Sequence, residues 1–328
     1  MSSSVLTYRE ALRKALIEEM ERDDSVFLMG EDIGRYQGTF RVTQGLFEQF
    51  GEMRVIDTPI TEPGFVGLAT GAAMTGLRPV VEIMTMSFSI LALDQIINHA
   101  AKIHYITNGQ TSVPLVIRGP SGAANQLSAQ HSHSVEGWFA HVPGLKVVAP
   151  STPEDAYGML KTAIRDQNPV IFTENPGLYG IKGEVNDDPS FTIPFGKARL
   201  AREGKDLTLV AYSRMVHVCM DAAEKLTQKG IDVEVIDLRS LLPLDTATLY
   251  QSIAKTHRAI VVYEDWRSGG FGSEIAARIG EDCFDELDAP VLRVGGLNVP
   301  MPYCRKLELE CIPDVNDVMD AVKKLGLI

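Results

Sequence analysis

Several features are scarce or absent in this chain of 328 residues, and each absence excludes a class of protein. No dense run of Lys and Arg occurs, and the formal net charge is −12, which argues against binding to nucleic acid or to an anionic membrane. Four cysteines without a CxxC pair do not form a disulfide framework and indicate a reducing compartment. No uncharged apolar run reaches the roughly 18 residues of a membrane span, and the N-terminus lacks a signal-peptide core. We therefore expect a cytoplasmic protein, or one of the plastid stroma.

The composition is that of an ordinary globular protein, with 45% hydrophobic and 23% charged residues. At roughly 150 residues per domain, the length suits two domains. Short apolar runs rich in β-branched residues alternate with helical stretches, which predicts parallel sheets covered on both faces. Residues 175–196 interrupt this alternation with Pro, Gly, Asn and Asp, and we interpret them as an interdomain connection. The sequence thus predicts two doubly wound α/β domains, which bind ligands at the carboxyl ends of their strands.

The predicted elements fall into two sets, one on each side of this connection. The first set has strands at 25–30, 54–59, 78–84, 113–119, 145–150 and 168–174, with helices at 88–106 and 151–166. The second set has strands at 206–213, 231–238, 258–265 and 290–296, with helices ending near 229, at 245–256, from about 271, and at the end of the chain.

A lone carboxylate, Glu62, follows the predicted strand RVIDTP and opens the stretch EPGFVGLATGAAM. One interpretation is structural: Thr58 or Thr61 caps a helix, and Glu62 complements its dipole. That interpretation leaves the four glycines of 64–76 unexplained, since each costs a helix about 1 kcal/mol relative to Ala. Tolerating them indicates that another backbone or a flat ligand approaches closely.

A second candidate site is the histidine-rich segment 128–141, which carries His131, His133 and His141. A zinc site is one interpretation of the His-x-His pair, but no nearby Cys or acidic cluster completes four ligands. A capping or solvent-facing histidine is the commonest structural alternative. The position beyond the carboxyl end of a parallel strand also suits an acid–base group.

Two glycine-rich stretches, MGEDIG at 29–34 and SGGFGSE at 268–274, invite a phosphate-binding interpretation. Neither matches the dinucleotide fingerprint or the P-loop, and the P-loop lysine is missing from both. A tight turn between strand and helix is the simpler account of SGGFGSE. The helix end at 159–169 has free carbonyls that could hold a cation, but a plain helix C-terminus is the default interpretation.

Longer blocks of the sequence resemble a known family. The blocks are DTPITEPGFVGLATGAAMTGLRPVVEIMT, DQIINHAAK, RGPSGA, AQHSH, PGLKVVAPSTPEDA and VPMPY. They resemble the beta subunits of thiamine diphosphate-dependent 2-oxo acid dehydrogenases, most closely the pyruvate dehydrogenase (acetyl-transferring) branch, from about Thr7 to the end of the chain. The resemblance implies a transketolase-like pyrimidine-binding domain over 1–180, a linker over 181–198, and a transketolase C-terminal-like domain over 199–328.

The resemblance also implies roles for particular residues. Glu62 matches the family glutamate that hydrogen-bonds N1′ of the aminopyrimidine ring and thereby promotes loss of the thiazolium C2 proton. Phe88 matches the aromatic residue that lies against that ring. His131 matches the histidine that assists proton transfer as the acyl group passes to a lipoyl arm. The family's potassium ion, held by main-chain oxygens and nearby groups, maps onto Leu115, Ala163, Ile164, Asp166 and Asn168.

One family motif is missing from the sequence: the G-D-G, followed some 25–30 residues later by N, that binds Mg²⁺ and the diphosphate. The resemblance therefore implies that an alpha subunit supplies Mg²⁺ and diphosphate binding, in a heterotetramer of two alpha and two beta subunits docked on a dihydrolipoyl acetyltransferase core. The implied activity is oxidative decarboxylation of pyruvate, with reductive acetylation of the lipoyl group, on the route from glycolysis to acetyl-CoA. Branched-chain 2-oxo acid or acetoin dehydrogenase activity, or a non-catalytic docking subunit, are the alternatives.

Overall fold

The computed structural model describes residues 2–328, which form two compact units. The first unit contains the chain through Ser121 together with Trp138–Phe195, and the second contains Gly122–Gly137 and Gly196–Ile328. The segment Gly122–Gly137, which carries His131, therefore groups with the second unit, although it lies within the range 1–180 predicted for the first domain.

In the first unit, strands and helices alternate after an N-terminal strand. The strands are β1 Ser3–Thr7, β2 Val26–Gly30, β3 Val55–Asp57, β4 Arg78–Glu82, β5 Val116–Pro120, β6 Lys146–Val148, β7 Val170–Glu174 and β8 Lys182–Asn186. The helices are α1 Tyr8–Arg22, α2 Leu46–Phe50, α3 Glu62–Met74, α4 Ile103–Ile106, α5 Glu136–Ala140 and α6 Pro153–Arg165.

The sheet of the first unit has the strand order β6-β7-β5-β4-β2-β3, and each neighbouring pair in that order is parallel. Helices α1 and α6 pack on one another and close a core of buried apolar side chains that includes Tyr8, Leu12, Tyr157 and Leu160. Helix α6 begins where the sequence predicted: the Thr152 side chain accepts a hydrogen bond from the Asp155 amide at 3.1 Å, and Pro153 lies in the first turn.

The single helix predicted at 88–106 is wrong. The chain forms instead a 3₁₀ segment, Met86–Ala92, a π segment, Gln95–Ala100, and the short helix α4. In the first of these segments, Ser89 Oγ donates to the Met86 carbonyl at 2.5 Å, and such side-chain bonds compete with the regular helical ladder.

The second unit repeats the alternation on a smaller scale. Its strands are β9 Arg199–Arg202, β10 Leu207–Ala211, β11 Val233–Asp237, β12 Ser240–Leu242, β13 Ala259–Trp266 and β14 Leu292–Gly296. Its helices are α7 Met215–Thr227, α8 Thr246–Thr256, α9 Phe271–Asp282, α10 Arg305–Cys311 and α11 Val315–Lys324.

Five of these strands, all except β12, form one sheet in the order β14-β13-β10-β11-β9. All neighbours are parallel except β9, which runs antiparallel to β11 at the sheet edge. Apolar residues of α7, α11 and the three central strands form the core, and Ala123 from the segment Gly122–Gly137 packs into it.

The stretch 175–196, interpreted as an interdomain connection, contains a strand that the sequence did not predict. Strand β8 lies within it and pairs antiparallel with β1, with Ser3 opposite Asn186 and Thr7 opposite Lys182. This pairing was missed because both strands lack a continuous apolar run, and their partners are far apart in the sequence.

Candidate active site

Three candidate residues follow neighbouring strands of the first sheet at its carboxyl edge. Glu31 follows β2, Glu62 follows β3, and Phe88 lies beyond the end of β4, while the strand order places β2 between β3 and β4. Parallel strands present their carboxyl ends at one edge, which is where doubly wound sheets bind ligands.

Glu62 is the first residue of α3 and is only 4% exposed. Within residues 2–328 its carboxylate accepts no hydrogen bond. The predicted threonine cap is also wrong: the Thr61 side chain makes no capping bond, and Thr58 Oγ1 is buried with no hydrogen-bond partner in the described chain. The carboxylate is therefore available to a hydrogen-bond donor from outside this chain.

Glu31 is a further candidate residue that the sequence did not single out. It is 6% exposed, and its Oε1 has no hydrogen-bond partner among residues 2–328. Burial, followed by the charges of Glu62 and Asp32, raises the pKa of Glu31 from 4.5 to about 7. The edge therefore has a carboxyl group that exchanges a proton near neutral pH, next to Glu62.

The loop that carries Glu31 is fastened by Asp57. Its carboxylate accepts hydrogen bonds from the amides of Gly34 at 2.6 Å and Arg35 at 3.0 Å. A side chain at Gly34 would lie 2.8 Å from Asp57 Oδ2, so this approach requires glycine. The last amide of the stretch MGEDIG, that of Gly34, and the amide that follows it are thus bonded to a carboxylate of this chain.

A buried ion network lies behind the same edge, on β4, β5 and β7. Arg118 donates two hydrogen bonds to Glu174, at 2.6 and 2.7 Å, and a third to Glu82. Tyr179 Oη donates to Glu174 at 2.6 Å. Burial raises the pKa of Glu82 despite the Arg118 charge, and the two carboxylates raise the pKa of Arg118 against the opposing effect of burial. This network ties together β4, β5 and β7, and β4 is the strand that leads to Phe88.

Phe88 is half-buried in the 3₁₀ segment Met86–Ala92, and its amide donates to the Thr85 carbonyl at 2.9 Å. The backbone thus holds the ring position beyond β4. The aromatic ring is of the kind that packs against a flat heterocycle.

The glycines of α3 lie on an exposed face together with apolar side chains. Leu68 is 58% exposed and Met74 is 42% exposed, and between them Gly71 has no atom within 4 Å of where a Cβ would lie. A groove of about 280 Å³ separates this face from the segment 95–103. Nothing within residues 2–328 requires glycine at position 71, so packing inside the chain does not explain it.

The candidate histidines lie in two different places. His131 and His133 are half-buried in the Gly122–Gly137 segment of the second unit, whereas His141 is exposed in the first unit. The His133 ring packs edge-on against Trp266, with centroids 5.6 Å apart, and burial lowers the pKa of His133. Across residues 2–328, no group of three or more His, Cys, Asp and Glu side chains is arranged to hold a metal ion.

The second glycine-rich stretch, SGGFGSE, leads into α9. Asp265 accepts hydrogen bonds from the amides of Trp266 and Phe271, the first residue of the helix, and burial raises the pKa of Asp265 to about 6. The helix N-terminus thus has an anion from its own chain. This arrangement favours the strand-to-helix turn over phosphate binding.

Four of the five residues matched to a potassium site lie at the C-terminal end of α6 or just beyond it: Ala163, Ile164, Asp166 and Asn168. The fifth, Leu115, directly precedes β5. The carbonyls of Ile164 and Asp166 accept from Arg78 Nη1 at 2.9 and 3.1 Å. The Asp166 carboxylate accepts from the Asn168 amide at 2.9 Å and from Lys146 Nζ. The Ala163 carbonyl accepts from the Asp166 amide at 3.2 Å, and that of Leu115 from the Val170 amide at 2.9 Å. Each carbonyl keeps a second lone pair, and neutral main-chain oxygens fit a hard monovalent cation.

Two α/β units of this topology define a transketolase-like protein, and comparison with known proteins supports this class. The family model described as transketolase, pyrimidine binding domain matches residues 4–182, and the one described as transketolase, C-terminal domain matches residues 196–318. A solved structure titled split gene transketolase, inactive beta4 tetramer superposes with a TM-score of 0.79 at 24% identity, covering 97% of both chains, and supports the fold alone.

Curated relatives narrow the class further. A protein of Rickettsia felis, named pyruvate dehydrogenase E1 component subunit beta, is 52% identical over 320 residues, covering 98% of each chain. The beta-2 subunit of Oryza sativa subsp. japonica, named as mitochondrial, is 53% identical over 323 residues, covering 97% of this chain and 86% of the relative. The chain belongs to the family of pyruvate dehydrogenase E1 component beta subunits, as the resemblance implied. In residues 2–328 there is no helix with the length and hydropathy of a membrane span.

Proposed function

We propose that this chain is the beta subunit of a heteromeric pyruvate dehydrogenase (acetyl-transferring), which decarboxylates pyruvate and acetylates the lipoyl group of a dihydrolipoyl acetyltransferase. The observation that carries the proposal is Glu62, a carboxylate 4% exposed at the carboxyl edge with no hydrogen bond from residues 2–328. Such a group is suited to accept a hydrogen bond from a ring nitrogen of a bound cofactor.

Bound thiamine diphosphate would supply the electron sink that decarboxylation of a 2-oxo acid requires. In our proposal Glu62 would share a proton with N1′ of the aminopyrimidine, and Phe88 would pack against that ring. Glu31, whose pKa of about 7 lets it hold or release a proton, modulates the charge that Glu62 experiences. His131 exchanges a proton during acetyl transfer to the lipoyl arm.

The chain would work only with a partner. The alpha subunit would supply Mg²⁺ and diphosphate binding, since the G-D-G…N motif is absent from this sequence, and we propose an α2β2 heterotetramer. The exposed face of α3, with Leu68, Gly71 and Met74, has the small and apolar character of an interface. We further propose that the assembled enzyme docks on the acyltransferase core. The first domain of this chain would end at 180 and the second begin at 199. The proposed location is cytoplasmic or plastid-stromal, which cell fractionation tests.

We propose that potassium binds among the carbonyls of Leu115, Ala163, Ile164, Asp166 and Asn168. The main-chain carbonyls of Ala163, Ile164 and Asp166 at the end of α6, each with a second lone pair, support it. The test is thermal unfolding of the isolated chain in KCl and in choline chloride at equal ionic strength. We expect a higher midpoint in KCl, and equal midpoints would contradict the site.

Reconstitution tests the main proposal. Neither subunit alone should release CO₂ from pyruvate, and the mixture with thiamine diphosphate and Mg²⁺ should do so. Glu62→Gln should leave the fold intact and abolish decarboxylation in the mixture, whereas His131→Ala should act mainly on acetyl transfer. Near-normal turnover of Glu62→Gln would refute the role of Glu62.

The alternatives predict different outcomes in the same mixture. Preferred turnover of branched-chain 2-oxo acids or acetoin would indicate another dehydrogenase of this family. If both Glu62→Gln and His131→Ala left the activity of the mixture unchanged, this would indicate a docking subunit without a catalytic role.

A further inference from the structure

Two carboxylates of the second unit bond directly to the backbone of the segment that carries His131. Glu264 Oε1 accepts a hydrogen bond from the Ala123 amide at 2.6 Å, and Glu308 Oε1 accepts one from the Gln126 amide at 2.9 Å. Arg214 Nη1 adds a bond to the Ala123 carbonyl at 3.2 Å. The start of the segment is therefore fixed at two points, five and eight residues before His131.

The bonded backbone has an unusual conformation. Asn125, Gln126 and Ser128 have φ angles of +75°, +60° and +67°, in the left-handed region that residues with a side chain seldom adopt. Such a conformation persists only where the surrounding structure stabilises it. The bond from the Gln126 amide to Glu308 lies within this stretch and supplies that stabilisation.

Glu308 is suited to this task by its burial and its partners. The residue is 0% exposed on α10, and Arg305 Nη1 contacts its Oε2 at 2.9 Å, which leaves Oε1 directed at the Gln126 amide. A buried carboxylate is stable only when its oxygens are bonded, so the bond stabilises Glu308 as well as the segment. Amide bonds to a carboxylate are about twice as strong as bonds between neutral groups.

The other end of the segment is also held. His133 packs against Trp266, and a side chain at Gly137 would lie 3.3 Å from both Asp265 Oδ2 and the Phe271 amide. His131 thus lies between a start fixed by hydrogen bonds and an end that packs closely against β13 and α9.

We propose that Glu264 and Glu308 are positioning residues that hold the segment Gly122–Gly137 in the conformation that presents His131 for acetyl transfer. This inference rests on the proposed function, which gives His131 its role. Neither carboxylate is assigned contact with the substrate; both act through the backbone of the segment. Their loss should uncouple acetyl transfer from decarboxylation.

The test compares two rates in the reconstituted enzyme: pyruvate decarboxylation measured with an artificial dye acceptor, and acetylation of an isolated lipoyl domain. For Glu308→Ala we expect the ratio of acetylation to dye reduction to fall about 10-fold, since loss of a hydrogen bond to a charged group corresponds to about that factor. Glu308→Gln should retain part of the ratio, because its amide oxygen still accepts. Glu310→Ala, an exposed carboxylate on the same helix, is the matched control and should leave the ratio unchanged.

A second measurement does not depend on activity. Chymotrypsin cleavage after Leu127, which is 38% exposed, should be faster in Glu308→Ala and in Glu264→Ala than in Glu310→Ala, as followed by mass spectrometry. Unchanged cleavage, or equal losses of both rates, would overturn the inference. If the unmodified mixture failed to decarboxylate pyruvate, the proposed function would fail, while the cleavage rates would still report whether the carboxylates hold the segment.

Discussion

Glu31→Gln tests the charge balance at the carboxyl edge, because the substitution removes a titrating carboxyl and keeps its size. Burial and the Glu62 charge raise the pKa of Glu31 from 4.5 to about 7. A folded-state pKa above the unfolded value means that the folded protein binds the proton more tightly. The stabilising contribution is therefore complete below pH 4.5 and is lost as the pH rises to about 7.

The size of this effect on the free energy of unfolding follows from the rise in the pKa of Glu31. At 1.36 kcal/mol per pKa unit, it corresponds to at most ~3.4 kcal/mol. Relaxation of the loop and screening by solvent at the sheet edge reduce this figure, and we expect roughly 1–2 kcal/mol. For a unit of this size, that is a gain of roughly 2–8 °C in the unfolding midpoint of Glu31→Gln above pH 7.

The assay is thermal unfolding of the isolated chain followed by circular dichroism at pH 5, 6, 7 and 8. The amount by which the unfolding midpoint of Glu31→Gln exceeds that of the unmodified protein should be smallest at pH 5, grow through pH 7, and then level off. Glu52→Gln, a change at an exposed carboxylate, should give no such trend. An advantage for Glu31→Gln that is the same at pH 5 and pH 8 would refute the reasoning, since a packing effect would not depend on protonation.

Two further predictions concern the exposed α3 face and the buried ion network. Gly71→Ala should leave the midpoint of the isolated chain unchanged or slightly raised, because a Cβ meets no atom within 4 Å, but should weaken assembly with the alpha subunit in analytical ultracentrifugation. Gly280→Ala, at an equally open helical glycine, should assemble normally, and equal behaviour of the two variants would argue against an interface on α3. Arg118→Met should cost about 3–5 kcal/mol in urea unfolding, because Glu82 and Glu174 would remain buried without their cation, and a loss below 1 kcal/mol would contradict that account.

Sequence signals were sufficient wherever the determining contacts are local. Helix α6 was predicted because its threonine cap, first-turn proline and early acids are neighbours in the chain. The pairing of β1 with β8 was missed because it joins residues such as Thr7 and Lys182, and neither strand carries a periodic apolar pattern. The helix predicted at 88–106 failed because apolar spacing of three and four does not distinguish α-helix from the 3₁₀ and π segments that form there.

The candidate-site residues also divide into those that local sequence signals indicate and those that depend on contacts distant in the sequence. Glu62 was found from its position after a strand and from the resemblance, and its role stays a proposal. Glu31 could not be found from spacing, since part of its raised pKa comes from a carboxylate 31 positions away in the chain. The anchoring of the His131 segment depends on Glu264 and Glu308, which are 141 and 182 residues from the amides they bind.

The assignment of Gly122–Gly137 to the second unit has a consequence for how this protein can be divided. A recombinant fragment that starts at Gly196 would lack Ala123, which is 1% exposed and fills part of the core around Leu209, Val235 and Ile260. It would also leave Glu308 buried without its amide partner. The smallest autonomous version of this unit is therefore two pieces of polypeptide, and a synthetic peptide spanning Gly122–Gly137 is the natural complement to restore it.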